Sequence, residues 1–488
     1  MVRKFTVHLY YFGMLLAILG ALGQSKELMA VGALAAAFGY GLRDYFSARP
    51  DSITPMTINA LFLGVWMGLG HLIACFVVGT QYEETFYGYS VMDFLLEAQY
   101  LATLTVLVPL VSYRWFTRLN VGPRRLLLRV PTVAFEVSGG TLLIFCLAMF
   151  VFDWTSKLIN IPLESLGVLA AFMSRSSEIA IFLLAWHWLG PSPTLPKWTR
   201  WVLYLGMAFD VGYSTMFSYM RGEIAYPLFT FFLAFLLRKA VSKRIVAIAC
   251  VVIFVFASIY KVIGDTRGQG IRGSERIAII IEQYLSNGSD VNQAREEEGG
   301  DSALMSLIAR GCNFGQLSQV VHIADEEGYY DGKTLEYLSY AFIPRLIWPE
   351  KPLITPGQWF AEKIGHGTRL SETKFSNSIN MSVAGEFYLN FGWIGAVSGL
   401  ILMGFLYAIF WESADFYGKR NNPTGQGLGI AILLQAIGGT SAGALLHLIF
   451  LYLGMLAISR VLIIFASRKR AIRTPNIRPV VRSGITGG

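Results

Sequence analysis

Apolar residues along this chain gather in runs of about twenty, long enough to cross a bilayer core of about 30 Å, with short polar intervals between them. The pattern predicts about twelve spanning helices, over roughly 5–23, 28–46, 56–79, 93–113, 132–153, 164–188, 200–219, 223–238, 244–262, 391–412, 426–440 and 442–465. "GGTSAG" joins the last two. The runs do not alternate as the strands of a membrane β-barrel would. "MVRK" leads into an apolar run with no small-residue cleavage site, so the first run is read as a span rather than a signal peptide. One long polar interval, 263–390, breaks the series.

Lysine and arginine in the short intervals set an orientation. One set of intervals carries Arg43 and Arg49, then Arg114, Arg118, Arg124, Arg125 and Arg129, then Lys197 and Arg200. It continues with Arg238, Lys239, Lys243 and Arg244, then Lys419 and Arg420, and ends in the tail with Arg468, Lys469, Arg470 and Arg473. The alternate set, "GQSKE", "QYEETFYGYS", "DWTSKLIN" and "YMRGE", is poor in positive charge. The expectation is that both termini are cytoplasmic and that 263–390 forms one large extracytoplasmic loop, too long for a simple connector. Four regions follow: helices one to nine over 1–262, the loop over 263–390, helices ten to twelve over 391–466, and a basic cytoplasmic tail over 467–488. Within the loop, 303–324 reads as an amphipathic helix broken near Gly311 or Gly315.

Composition agrees with an all-α polytopic membrane protein. The 488 residues are 54% hydrophobic and 15% charged, where a soluble domain carries about 25%. The net charge of +8 sits in the topology-setting intervals, so it marks phospholipid contact and not nucleic acid. Of the four cysteines, Cys75, Cys146 and Cys250 lie in spans and Cys312 in the loop; they form no disulfide framework or metal set.

Candidate chemistry collects in two places. The first is the outer face. Arg221, in "YMRGE", is an arginine on the side poor in positive charge: either a snorkelling helix end or an anion site, since guanidinium forks onto phosphate. Arg267 and Arg272, in "GDTRGQGIRGSER", follow span nine at the same level, and Arg310 and Arg345 lie further into the loop. The second is inside the spans. Arg175 and Glu178, three apart on one helix face, and Asp210 in mid-span form either a structural pair or an ion path. His447, near the outer end of span twelve, is either a base or a packing residue. The stretch "AFIPRLIWPEKPLITPG" (341–357) sets four prolines beside Arg345, Trp348 and Lys351.

The loop resembles the O-antigen polymerase family, the polymerases of oligosaccharide repeat units. The likeness runs from Arg310 through "DGKTLEYL" (331–338) and "IPRLIWPEKP" (343–352) to "GEFYLNFGWIG" (385–395), and the "R-G" at Arg221 matches an arginine of that family. It implies a GT-C-like, metal- and cofactor-independent glycosyltransferase of the bacterial inner membrane. Its substrate would be an undecaprenyl-diphosphate-linked oligosaccharide, and its partners a chain-length regulator and a flippase. Arg221, Arg267, Arg272, Arg310, Arg345 and Lys351 would hold the diphosphate electrostatically. Trp348 would stack on a sugar, and the prolines would fix the segment. Glu386 is the first candidate base, with His447 and Asp265 behind it; Glu386 equally suits a salt bridge that orients an arginine. Two alternatives stay open: a ligase using the same donor with a different acceptor, and a flippase or exporter of lipid-linked sugars.

Overall fold

In a computed structural model of the full chain, the described residues are 2–47, 52–73, 94–119, 139–158, 176–190, 195–217, 221–238, 273–285, 314–343, 347–352, 356–365, 378–414, 423–438 and 441–454, with isolated positions 242, 245, 247, 248, 251 and 416. Every regular element among them is a helix. In chain order those of eight residues or more are α1 (Val2–Leu22), α2 (Lys26–Tyr45), α3 (Pro55–Ile73), α4 (Leu95–Arg118), α5 (Gly139–Leu158), α6 (Ser176–Trp188) and α7 (Thr199–Phe217). Then come α8 (Arg221–Leu237), α9 (Ser274–Leu285), α10 (Phe314–Glu327), α11 (Pro356–Lys363), α12 (Ser382–Ala414), α13 (Pro423–Gly438) and α14 (Ala442–Gly454).

Four of these, α1, α3, α4 and α12, are long and apolar enough to cross a membrane, so the chain is a helical membrane protein. They correspond to four of the roughly twelve expected spans. The other expected spans coincide wholly or in part with helices among the described residues, while 132–138, 164–175, most of 244–262 and 455–465 lie outside the described residues.

Lipid supplies no hydrophobic drive between helices, so close backbone approach must come from small residues. The α1–α2 hairpin shows this. Ser25 caps α2 by accepting the Leu28 N–H at 3.2 Å. Gly13 and Gly20 on α1 then lie against the α2 backbone at Ala36 and Met29, and Gly32 and Gly39 on α2 against the α1 backbone at Ala17 and Tyr10, leaving no room for a side chain: a Cβ on Gly20 would lie 2.7 Å from the Met29 nitrogen, and one on Gly32 would run into the Ala17 backbone. Gly32→Leu should therefore part the hairpin, an overpacking cost of about 1–3 kcal/mol or more. Gly212→Ala on α7, where a Cβ meets nothing within 4 Å, should be neutral or slightly stabilising. Thermal unfolding of the two variants in detergent checks the contrast.

α12 is the central element. It packs along α4, where a Cβ on Gly404 would approach the Pro109 carbonyl at 2.8 Å, and against α10 of the polar interval. Its 33 residues are not one straight helix: Gly392 has φ 65° and ψ −153°, a conformation essentially restricted to glycine. The ring of Tyr329 fills the space beside it, 2.8 Å from where a Cβ would stand. The expected start of span ten at 391 thus falls on a real break, but helix begins nine residues earlier, at Ser382. In the polar interval, the second half of the expected 303–324 helix is seen as α10; 303–313 lie outside the described residues.

Candidate functional site

A helix break leaves backbone carbonyls without partners. At Gly392 these are supplied by the polar interval: Tyr330 N–H donates to the Leu389 carbonyl at 3.0 Å, and Asp331 N–H to that of Asn390 at 3.2 Å. The turn that brings them there, "GYYDGK", takes left-handed backbone at Gly328 (φ 78°), Asp331 (φ 49°) and Gly332 (φ 90°). Glycine meets that demand without a steric cost, and aspartate tolerates it. Asn390 completes the seam. Its amide donates to Thr334 Oγ1 at 2.5 Å and to the Glu386 carbonyl at 2.7 Å, and its oxygen accepts the Thr334 N–H at 3.3 Å. "DGKTLEYL" and "GEFYLNFG", some fifty residues apart in sequence, are thereby stitched into one unit.

Glu386 lies on the inner side of this unit, 3% exposed. One carboxylate oxygen, Oε2, accepts both the Tyr337 hydroxyl at 3.3 Å and the Ala442 N–H at 3.0 Å. Ala442 opens α14, whose other cap is Ser441, accepting the Ala444 N–H at 3.2 Å. The "GGTSAG" border between α13 and α14 is therefore a helix start that receives a carboxylate, where free N–H groups and the helix dipole favour negative charge. Burial, and next the Glu386 carboxylate, push the Tyr337 phenol well above its usual range, so it stays a protonated donor.

Tyr337 also lines an open cleft of about 310 Å³ on the face of the polar interval. Tyr330, Tyr340 and Trp359 form its other aromatic walls, with Lys333, Thr334 and Glu336 as polar groups. One wall is braced. Trp359 meets Tyr330 edge-on, with ring centroids 5.5 Å apart. The Tyr330 hydroxyl donates to Glu327 Oε2 at 2.6 Å, and Lys363 Nζ pairs with Glu327 Oε1 at 2.5 Å. Hydrogen bonds from Lys363 and Tyr330 hold the Glu327 carboxyl below its ordinary value. A depressed carboxylate contributes stability above its unfolded pKa, about 4.3, and loses it as pH falls through the lower folded value. The difference in thermal stability between wild type and Lys363→Met should thus be present at pH 7 and vanish in acid well below pH 4.

Lys351 is buried and turns inward: its ammonium donates to the carbonyls of Ala341 (3.2 Å) and Ile343 (2.8 Å), closing the turn that displays Trp348. Trp348 is 39% exposed and packs edge-on against Tyr340, a wall of the cleft, at 6.0 Å. His447 is half-buried on α14, one helical turn beyond Gly443. Arg221 begins α8. Gly273 N–H donates to the Met216 carbonyl at 3.0 Å, so the chain just after Arg272 is held at the end of α7 that leads to Arg221. Asp265, Arg267, Arg272, Arg310, Arg345 and Arg175 lie outside the described residues.

Inside the bundle, Glu178 and Asp210 are buried on α6 and α7. Asp210 receives Lys157 Nζ at 3.1 Å and Trp154 Nε1 at 3.2 Å, and Lys157 also pairs with Asp153 at 2.6 Å. Lys157 reads in sequence as an interval charge in "DWTSKLIN". The signal for its true place is its spacing of four from Asp153, which puts both on one helix face. Sequence reading also missed Arg276, fully buried on α9 and donating to the Thr215 carbonyl at 3.3 Å, and the aromatic set Tyr330, Tyr337, Tyr340 and Trp359. Aromatic residues spread over thirty positions of a loop carry no periodicity that would reveal a shared cleft. The chain matches no protein-family model, no curated protein and no solved structure.

Proposed function

We propose that the protein is a polysaccharide polymerase of the bacterial inner membrane, joining undecaprenyl-diphosphate-linked repeat units on the outer side of the bilayer. The observation that carries this reading is the buried Glu386 carboxylate hydrogen-bonded to Tyr337, a residue that lines an open cleft. Both belong to segments that resemble the polymerase family, and the seam through Asn390 and Thr334 joins those segments.

In the proposed reaction a hydroxyl of the acceptor sugar attacks the anomeric carbon of the donor. The new C–O bond forms as the bond from that carbon to the diphosphate oxygen breaks, and the diphosphate leaves with the electron pair. The acceptor proton passes to the Tyr337 oxygen while Tyr337 hands its own proton to Glu386 Oε2. Arginines at the membrane surface, with Arg221, Arg267, Arg272, Arg310 and Arg345 as candidates, balance the leaving charge. Lys351 has no part in this scheme, because its ammonium is already occupied with main-chain carbonyls.

A second reading, a flippase or exporter, draws on the buried carboxylates Asp153 and Asp210 and the partly buried Lys157 between them, since charges at membrane depth often mark an ion path. A ligase is the third. Deleting the gene in the host separates them. Loss of a polymerase leaves single repeat units on the outer leaflet. Loss of a ligase leaves long chains on their lipid carrier, and loss of a flippase traps single units on the inner leaflet.

A further inference from the structure

The cleft beside Tyr337 has a composition that its place next to a diphosphate chemistry does not require. Its walls are aromatic rings, and its charged groups, Lys333 and Glu336, are one of each sign. Among the described residues that line it, a diphosphate would meet a single ammonium and an opposing carboxylate. A sugar ring fits better. Its C–H face suits the rings of Trp359 and Tyr340. Its hydroxyls accept from Lys333 and donate to Glu336, and the Thr334 hydroxyl can do either. The volume, about 310 Å³, falls at the small end of ligand sites. The brace from Lys363 through Glu327 and Tyr330 to Trp359 sets one aromatic wall before any ligand arrives, which lowers the ordering cost of binding.

We infer that this cleft is a saccharide subsite, holding the acceptor glycan by aromatic stacking and uncharged hydroxyl contacts and leaving the diphosphate to be bound elsewhere. The assignment to the acceptor rests on the polymerase reading, because Tyr337 is the group placed to take the acceptor proton. The capacity to bind sugar does not rest on it.

The test is binding without catalysis. Repeat-unit oligosaccharides are released from the host's lipid-linked pool by mild acid and titrated onto the full-length protein in lipid nanodiscs, with saturation-transfer NMR as the readout. The wild type should bind them. Trp359→Ala should weaken binding by about tenfold or more, Lys333→Met should weaken it less, and inorganic pyrophosphate should not compete. Lys333 is exposed and lies outside the core, so its variant keeps the test valid if Trp359→Ala misfolds. Failure of the wild type to bind any released glycan, wild-type affinity in both variants, or displacement by pyrophosphate would each overturn the subsite. If glycan binds and the variants lose it, yet purified protein builds no chains from lipid-linked units, the subsite stands and the polymerase reading falls. If chains form but free glycan never binds, the reverse holds.

Discussion

Glu386→Gln should leave the protein folded and abolish chain growth, lowering the rate by about 10²–10⁴-fold, the usual worth of a positioned base. A glutamine oxygen can still accept the Tyr337 hydroxyl and the Ala442 N–H that now converge on Oε2. What it cannot do is receive a proton. Tyr337→Phe should approach the same loss, because the relay needs the hydroxyl that donates to Glu386. Glu386→Ala differs in kind. It strands a buried hydroxyl and a helix N-terminal N–H, at about 1–3 kcal/mol for each group left unpaired, so it should lower thermal stability as well as activity. The contrast separates a proton acceptor from a cap for α14. If the glutamine variant keeps full activity, Glu386 is a cap and nothing more. Activity as a function of pH sharpens the distinction, since a relay ending on a carboxylate must lose its acidic limb in Glu386→Gln, whereas a pure cap would leave the profile unchanged.

Gly392→Ala should be the most damaging single methyl in the polar half of the molecule. Two costs fall on one atom. The backbone at φ 65° and ψ −153° suits glycine almost alone, about 1–3 kcal/mol for another residue, and the new Cβ would stand 2.8 Å from Tyr329. Relief requires Tyr329 to move, and with it Tyr330 and Asp331, whose N–H groups satisfy the broken helix. The expected result is a large drop in thermal stability together with loss of activity. Gly328→Asn is the comparison: Gly328 also has positive φ, at 78°, but a Cβ there meets nothing within 4 Å, and asparagine tolerates that backbone. If both variants behave alike, strain at Gly392 is not what holds the seam.

Much of the bundle is legible in the sequence because lipid imposes a simple rule on it. A run of apolar residues about as long as the bilayer is thick is read directly, and α1, α3, α4 and α12 fall where such runs stand. Glu386 is legible as a lone carboxylate at the mouth of an apolar run, a position that needs a reason. Its partners are not. Tyr337 and Ala442 lie 49 and 56 residues away, and no periodicity links residues across such a separation. The proline-rich segment shows the limit in another way. A lysine in a polar loop reads as an exposed charge, but Lys351 turns under the chain to hold two carbonyls, and only tertiary packing decides that. Lys157 is the same lesson inside the bundle, where a charge placed by sequence in a loop proves to be the partner of Asp153 and Asp210.

On the proposed reading, purified protein alone polymerises lipid-linked glycans through the Glu386–Tyr337 pair. The direct measurement incubates wild type, Glu386→Gln and Tyr337→Phe in detergent with undecaprenyl-diphosphate-linked repeat units and resolves the products on a gel. A ladder of growing chains is expected from the wild type and none from the two variants, with all three equally folded. A wild type that builds no ladder but carries the same lipid-linked sugar across proteoliposomes would contradict it.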